Sequence, residues 1–152
     1  MARRNKLTKF SEVLAFPNVV ENFEPSEPIL TISADKTIDL KGKWKSDFFK
    51  NDHPLILELA CGRGEYSLAL GRANPQNNYL GVDIKGARIW KGAKAALDEG
   101  LTNVKFLRCK IEVILNFFEE NEVDEIWITF PDPFHGKENR RLTAHSFLER
   151  YR

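Results

Sequence analysis

From about residue 51 the chain alternates short apolar runs with longer segments whose apolar positions recur at helical spacing. Leu55, Ile56, Leu57 and Leu59 make a run too short for a helix and apolar on both sides, which predicts a central strand of a parallel sheet. Glu65 to Ala73 predicts a helix, and Tyr79-Leu80-Gly81-Val82-Asp83 a second strand. Gly86 to Glu99 then reads as a helix with Trp90, Ala93 and Leu97 on one face and Gly100 as its stop. Val104 to Leu107 predicts a third strand. Ile111 to Glu120 predicts a helix with Ile111, Ile114, Leu115 and Phe118 inward, and Glu125 to Phe130 a fourth strand. Strands alternating with helices predict an α/β fold: a parallel sheet wound right-handed, in the order 3-2-1, with helices on both faces.

Residues 1–50 carry weak periodicity and read as a basic N-terminal arm plus an irregular segment, set apart from an α/β domain over 51–152. Arg3, Arg4, Lys6 and Lys9 form a basic head for which phosphate contact and a merely solvated tail are equally good readings. Lys36, Lys41, Lys43 and Lys45 surround Trp44, ahead of Phe48 and Phe49; such rings stack on RNA bases in some proteins and more often cover the edge of a core. The fourth strand would leave Ile126, Trp127 and Ile128 beside an unpaired edge. The chain is therefore expected to be the N-terminal part of a longer protein, with the last strands of its sheet missing.

Composition narrows the partners. With 152 residues, 42% hydrophobic and 30% charged, the chain can build one ordinary globular core. A formal charge of +1 cannot steer a polyanion globally, so a nucleic-acid surface has to come from local clustering of the 23 basic residues. No apolar stretch nears the ~20 residues of a membrane span and no signal-peptide core follows Met1, so no membrane association and a cytoplasmic location are expected. Cys61 and Cys109, at the ends of non-adjacent strands, are expected to be free thiols. His53, His135 and His145 show no ligand spacing, and no metal is expected.

Three acids and two glycines at strand ends carry the candidate chemistry. Glu58 interrupts the first apolar run, where a carboxylate is costly to bury without a ligand or a donor. Gly62 and Gly64 let the backbone turn tightly and come close to whatever lies above the strand, with a helix N-terminus facing the same spot. Asp83 closes the second strand with 18 residues between it and Gly64, the spacing at which an acid hydrogen-bonds a ribose; it could also cap the helix starting near Gly86, and both roles can hold together. Asp132 lies between Pro131 and Pro133 on a stiff extended backbone beside Phe134, a pairing suited to the edge and face of a purine. Lys137, Arg140 and Arg141 follow and could meet phosphates. The alternative is a proline-rich turn before a helix capped by Thr143.

The segments LELACGRGEYSLALG, YLGVD, EIWITFPDPF and KENRRLT, in this order and spacing, resemble the bacterial tRNA (guanine-N7-)-methyltransferase family, and ENRRLTAHSFLERYR is similar to its continuation. The resemblance spans roughly Trp44 to Arg152. It implies a Rossmann-like class I methyltransferase fold on a seven-stranded sheet, S-adenosyl-L-methionine as cofactor and tRNA as partner. By the same resemblance Glu58 stands near the methionine end of the cofactor and Asp83 at its ribose, with Gly62 and Gly64 in the cofactor turn. Asp132 is the catalytic acid at the guanine, counted also among the cofactor-binding residues. Lys137, with Arg140 and Arg141, is assigned to the tRNA. Three features depart from the family: Lys110, with Glu112 two residues on, stands where many members have an adenine-contacting Asp or Asn; the loop after Phe134 is two residues shorter; and a later Thr-x-x-Glu motif is absent.

Guanine N7 already holds an in-plane lone pair, so the implied methyl transfer needs no general base and would gain chiefly from positioning, an effect worth ~7–11 kcal/mol. Three rival readings remain: another class I methyltransferase acting on a protein or small molecule, a nicotinamide oxidoreductase, and a non-catalytic cofactor- or RNA-binding fragment. The oxidoreductase ranks low because the turn carries Ser67 where the third glycine of G-x-G-x-x-G belongs.

Overall fold

The computed structural model describes residues 5–33, 35–129, 136, 142 and 145–152. Asp132, Lys137, Arg140 and Arg141 lie outside these residues, as do Arg3, Arg4, Phe134 and Thr143.

The four strands expected from the sequence are β4 (Leu55–Leu59), β5 (Asn78–Asp83), β6 (Val104–Arg108) and β7 (Glu125–Ile128), and they run parallel in the order β6-β5-β4-β7. All five residues of β4 are buried, as a strand paired on both edges and covered on both faces requires. β7 ends the sheet among the described residues, and Trp127 is 40% exposed there.

The sheet is larger than four strands. β1 (Val19–Glu21) pairs parallel with β6, and β2 (Leu30–Ile32) and β3 (Lys36–Ile38) add antiparallel, giving seven strands in the order β3-β2-β1-β6-β5-β4-β7. The sheet is thus mixed, not wholly parallel. Residues 6–49, expected to be an arm and irregular structure, also supply α1 (Lys6–Ala15), capped by Asn5, whose side chain accepts from the Thr8 amide at 2.8 Å, and a π-helical segment, Trp44–Phe49. Each of the three added strands is three residues long, too short for a period of two to show in the sequence.

Side chains alternate across β4 and divide the core in two. Leu55, Leu57 and Leu59 face Trp44, Phe48 and Phe49, together with Ile111, Ile114 and Phe117. Ile56 faces the opposite way, with Val13 of α1, Leu68 of α2 (Glu65–Ala73) and Ile89 and Ala93 of α3 (Gly86–Asp98). Helices therefore cover both faces, and each buried aliphatic or aromatic side chain contributes roughly 1.5–3 kcal/mol. α4 (His145–Tyr151) lies at the other end of the chain, and Tyr151 packs against the first of these clusters.

Two inward faces differ from expectation. Residues 111–116 form a short 3-10 helix, whose three residues per turn bring Ile111, Ile114 and Phe117 into line and leave Leu115 55% exposed. In α3 the buried stripe is Ile89, Gly92, Ala93 and Ala96, with Leu97 40% exposed. The ring cluster near the lysines is core: Trp44 is fully buried, its Nε1 donates to the Phe117 carbonyl at 2.7 Å, and it stacks on Phe118 at 5.0 Å between ring centres. Of the surrounding lysines, Lys45 pairs with Asp124 and Lys43 with Asp39. No helix among the described residues is long and apolar enough to cross a membrane, and no group of His, Cys, Asp and Glu among them is arranged to hold a metal.

Candidate functional site

Past Leu59 the backbone enters the left-handed region at every second residue: Ala60 at φ 55°, Gly62 at 58° and Gly64 at 73°. Ala60 bears this with a Cβ, at a cost of roughly 1–2 kcal/mol, which the surrounding hydrogen bonds offset. The Cys61 amide donates to the Val82 carbonyl at 3.0 Å, and the Gly64 amide to the Cys61 carbonyl at 2.9 Å. The turn is thereby fastened to the end of β5 before α2 begins.

The two glycines do different work. A Cβ on Gly62 would meet nothing within 4 Å, so its backbone borders open space where a ligand can approach. A Cβ on Gly64 would lie 2.7 Å from the Phe106 ring. Phe106 is fully buried, and added Cβ atoms on Gly81 and Gly92 would also crowd it at 2.8 Å. Gly64 is therefore needed for packing beneath the turn, and only Gly62 has the open approach expected of both.

Asp83 joins the turn to the second strand. Its Oδ2 accepts from the Gly62 amide and its Oδ1 from the Lys85 amide, both at 2.9 Å, while its carbonyl accepts from the Cys109 amide at 3.1 Å. Lys85, not Asp83, is the N-cap residue of α3. Each carboxylate oxygen keeps a second lone pair, so the group can still accept from two hydroxyls.

Glu58 is 5% exposed and sits across from Gly81 in the strand register. Its Oε1 accepts from Ser67 Oγ at 2.8 Å and its Oε2 from Thr129 Oγ1 at 2.9 Å. Burial raises its pKa above the ordinary value, and the Ser67 and Thr129 hydrogen bonds oppose that rise. The donor that the sequence demanded for this carboxylate is a pair of hydroxyls, one from α2 and one just beyond β7. Neither was singled out for this role, although Ser67 stood at a marked position, that of the missing third glycine.

Glu58, Gly62 and Asp83 thus gather at the carboxyl ends of β4 and β5, where open α/β sheets bind ligands. Cys61 lies within the same turn; burial, Asp83 and Glu58 all push its thiol well above its ordinary pKa, which makes it a poor nucleophile. Lys110 and Glu112, at the head of the 3-10 helix, are both exposed.

Comparison with known proteins agrees with this architecture. Residues 52–152 match the family model described as "Putative methyltransferase". The chain is 53% identical over 154 residues to a tRNA (guanine-N(7)-)-methyltransferase of Christiangramia forsetii, covering all of this chain and 66% of that protein. It is 50% identical to the protein of the same name from Bacteroides fragilis, covering 98% of this chain and 57% of the relative. A third, from Porphyromonas gingivalis, is 58% identical over 112 residues, covering 74% of this chain and 46% of that protein. The chain therefore spans about half to two thirds of the length of the curated relatives it matches. Among solved structures, an antibiotic-related methyltransferase superposes with a TM-score of 0.53 at 21% identity over 67% of this chain and 53% of its own, a likeness of fold. The chain belongs to this methyltransferase family.

Proposed function

We propose that this chain supplies the methyl-donor site of an S-adenosylmethionine-dependent enzyme that methylates guanine N7 in tRNA, acting in the cytoplasm. The observation that carries the reading is the pairing of Asp83 and Glu58 on neighbouring strand ends around Gly62, whose Cα borders open space. That relatives about 50% identical across the chain bear the name of this activity supports the substrate.

The residues present fit the donor. Asp83 would hold the ribose diol through its free lone pairs, Gly62 would let the donor lie close to the backbone, and Glu58 would face its cationic end. When bound, S-adenosylmethionine supplies an electrophilic methyl group. Glu58 also ties α2 and the residue after β7 to β4, so the site's walls are held by the same carboxylate. Asp132 would orient the guanine and offset the positive charge that grows on its imidazole ring, with Lys137, Arg140 and Arg141 on tRNA phosphates. Guanine N7 attacks with its own lone pair, and no residue has to remove a proton first.

Calorimetry with S-adenosylmethionine, followed by methyl transfer to unmodified tRNA and mapping of the product base, tests this reading. Asp83→Asn should abolish donor binding, because an amide cannot accept from both the Gly62 and Lys85 amides. Asp132→Ala should abolish transfer and leave donor binding measurable. Donor binding followed by methylation of a protein or small molecule, with tRNA untouched, would instead establish the broader class I alternative.

A further inference from the structure

Five cations line one cleft beside the glycine turn. α1 presents Lys6 and Lys9, three residues apart and so on one helical face, and α3 presents Arg88 and Lys91 at the same spacing; Arg63, between Gly62 and Gly64, joins them. The cleft has a volume of about 720 Å³, and no carboxylate lines it among the described residues. Its two helical walls are tied together: Trp90 Nε1 donates to Glu12 Oε2 at 2.6 Å, and Lys9 Nζ sits 5.0 Å from the Trp90 ring centre.

Four cations elsewhere on the surface are neutralised. Lys43, Lys45, Arg72 and Lys94 pair with Asp39, Asp124, Glu99 and Asp98. Among the described residues none of the five cleft cations forms a salt bridge. In a chain of net charge +1, five like charges from three separate elements meet on one concave surface. A solvated helix face gives no reason for such convergence, whereas a polyanion gains from it and removes the mutual repulsion.

We propose that this cleft holds the phosphate backbone of the RNA substrate, an inference that rests on the tRNA reading above. Lys and Arg contacts to phosphate fix the position of an RNA without reading its bases. Arg63 lies in the turn that carries Gly62, so an RNA held here passes directly beside the donor site. The basic head singled out in the sequence then contributes through Lys6 and Lys9, which α1 lays against α3.

The test compares two fourfold variants of the full chain by binding of an unmodified tRNA transcript across a salt series. In Lys6→Gln/Lys9→Gln/Arg88→Gln/Lys91→Gln, the slope of log affinity against log salt should become shallower by roughly 3, with at least a tenfold loss of affinity at 0.1 M salt. Lys36→Gln/Lys41→Gln/Lys43→Gln/Lys50→Gln removes the same charge from lysines that do not line the cleft and should stay within twofold of the parent. Calorimetry with S-adenosylmethionine checks that the cleft variant keeps its fold. Equal slopes for the cleft variant and the parent, equal losses in the two variants, or no tRNA binding by the parent would each overturn the proposal. A parent that binds tRNA through the cleft yet leaves guanine N7 unmethylated would refute the proposed activity while supporting the cleft.

Discussion

The Ser67 hydroxyl donates to Glu58 Oε1 at 2.8 Å, from the position at which a dinucleotide-binding turn carries its third glycine. A glycine there serves close packing of helix on strand. Ser67, 1% exposed, is small enough for that packing and also gives a buried carboxylate the donor it needs. Ser67→Ala should cost about 1–3 kcal/mol in urea unfolding, since it leaves Glu58 Oε1 without its hydroxyl partner. A loss under 0.5 kcal/mol would mean that water replaces the hydroxyl at no penalty.

Glu58 also makes stability depend on pH with a definite sign. Its folded-state pKa is raised above 4.5, chiefly by burial, so the folded protein holds the proton more tightly than the unfolded chain. Its contribution is fully present below the unfolded pKa and is lost as pH rises through the folded value. The stability of the parent minus that of Glu58→Gln should therefore fall from about pH 4.5 upward and level off once Glu58 is ionised in both states. A difference that stays flat, or rises with pH, would contradict the buried-carboxylate assignment.

The glycines of the turn should separate stability from ligand approach. Gly64→Ala combines a left-handed φ of 73° with a methyl 2.7 Å from Phe106, and should cost roughly 2–4 kcal/mol. Gly62→Ala meets only the backbone strain, roughly 1–2 kcal/mol, but its methyl enters the open space and should weaken S-adenosylmethionine binding more than tenfold. Putting Gly64→Ala into a Phe106→Leu background should reduce its penalty, because the smaller side chain yields. If the penalty is the same in both backgrounds, ring crowding is not its source.

The cysteines should be silent to alkylation. Both are free and buried; burial and Glu112 push Cys109 up to about 12, and Cys61 lies well above its ordinary value. At pH 8 neither holds an appreciable thiolate, so iodoacetamide should label both only after urea unfolding. Fast labelling of either thiol in the native protein would show that the turn or the end of β6 opens.

The apolar runs at 55–59, 79–83 and 104–107 were enough to place β4, β5 and β6, because buried parallel strands read as near-continuous hydrophobic stretches. Gly62 and Asp83 were legible for a similar reason: a tight turn and an acid ending a strand are local events with a fixed spacing. Asp132, Lys137, Arg140 and Arg141 rest on sequence alone, outside the described residues.

The tertiary structure decided what depends on contacts distant in sequence. Three-residue strands carry no period, so only the pairing of Val19–Glu21 with β6, and of β2 and β3 beside it, reveals that the segment before residue 50 adds strands to the sheet. The separate duties of Gly62 and Gly64 follow from where the Phe106 ring lies, more than 40 residues away in the chain. Charges scattered over positions 6 to 91 become one basic surface only when Trp90 meets Glu12. Local chemistry is written in neighbouring residues, while shared space between distant residues exists only once the chain has folded.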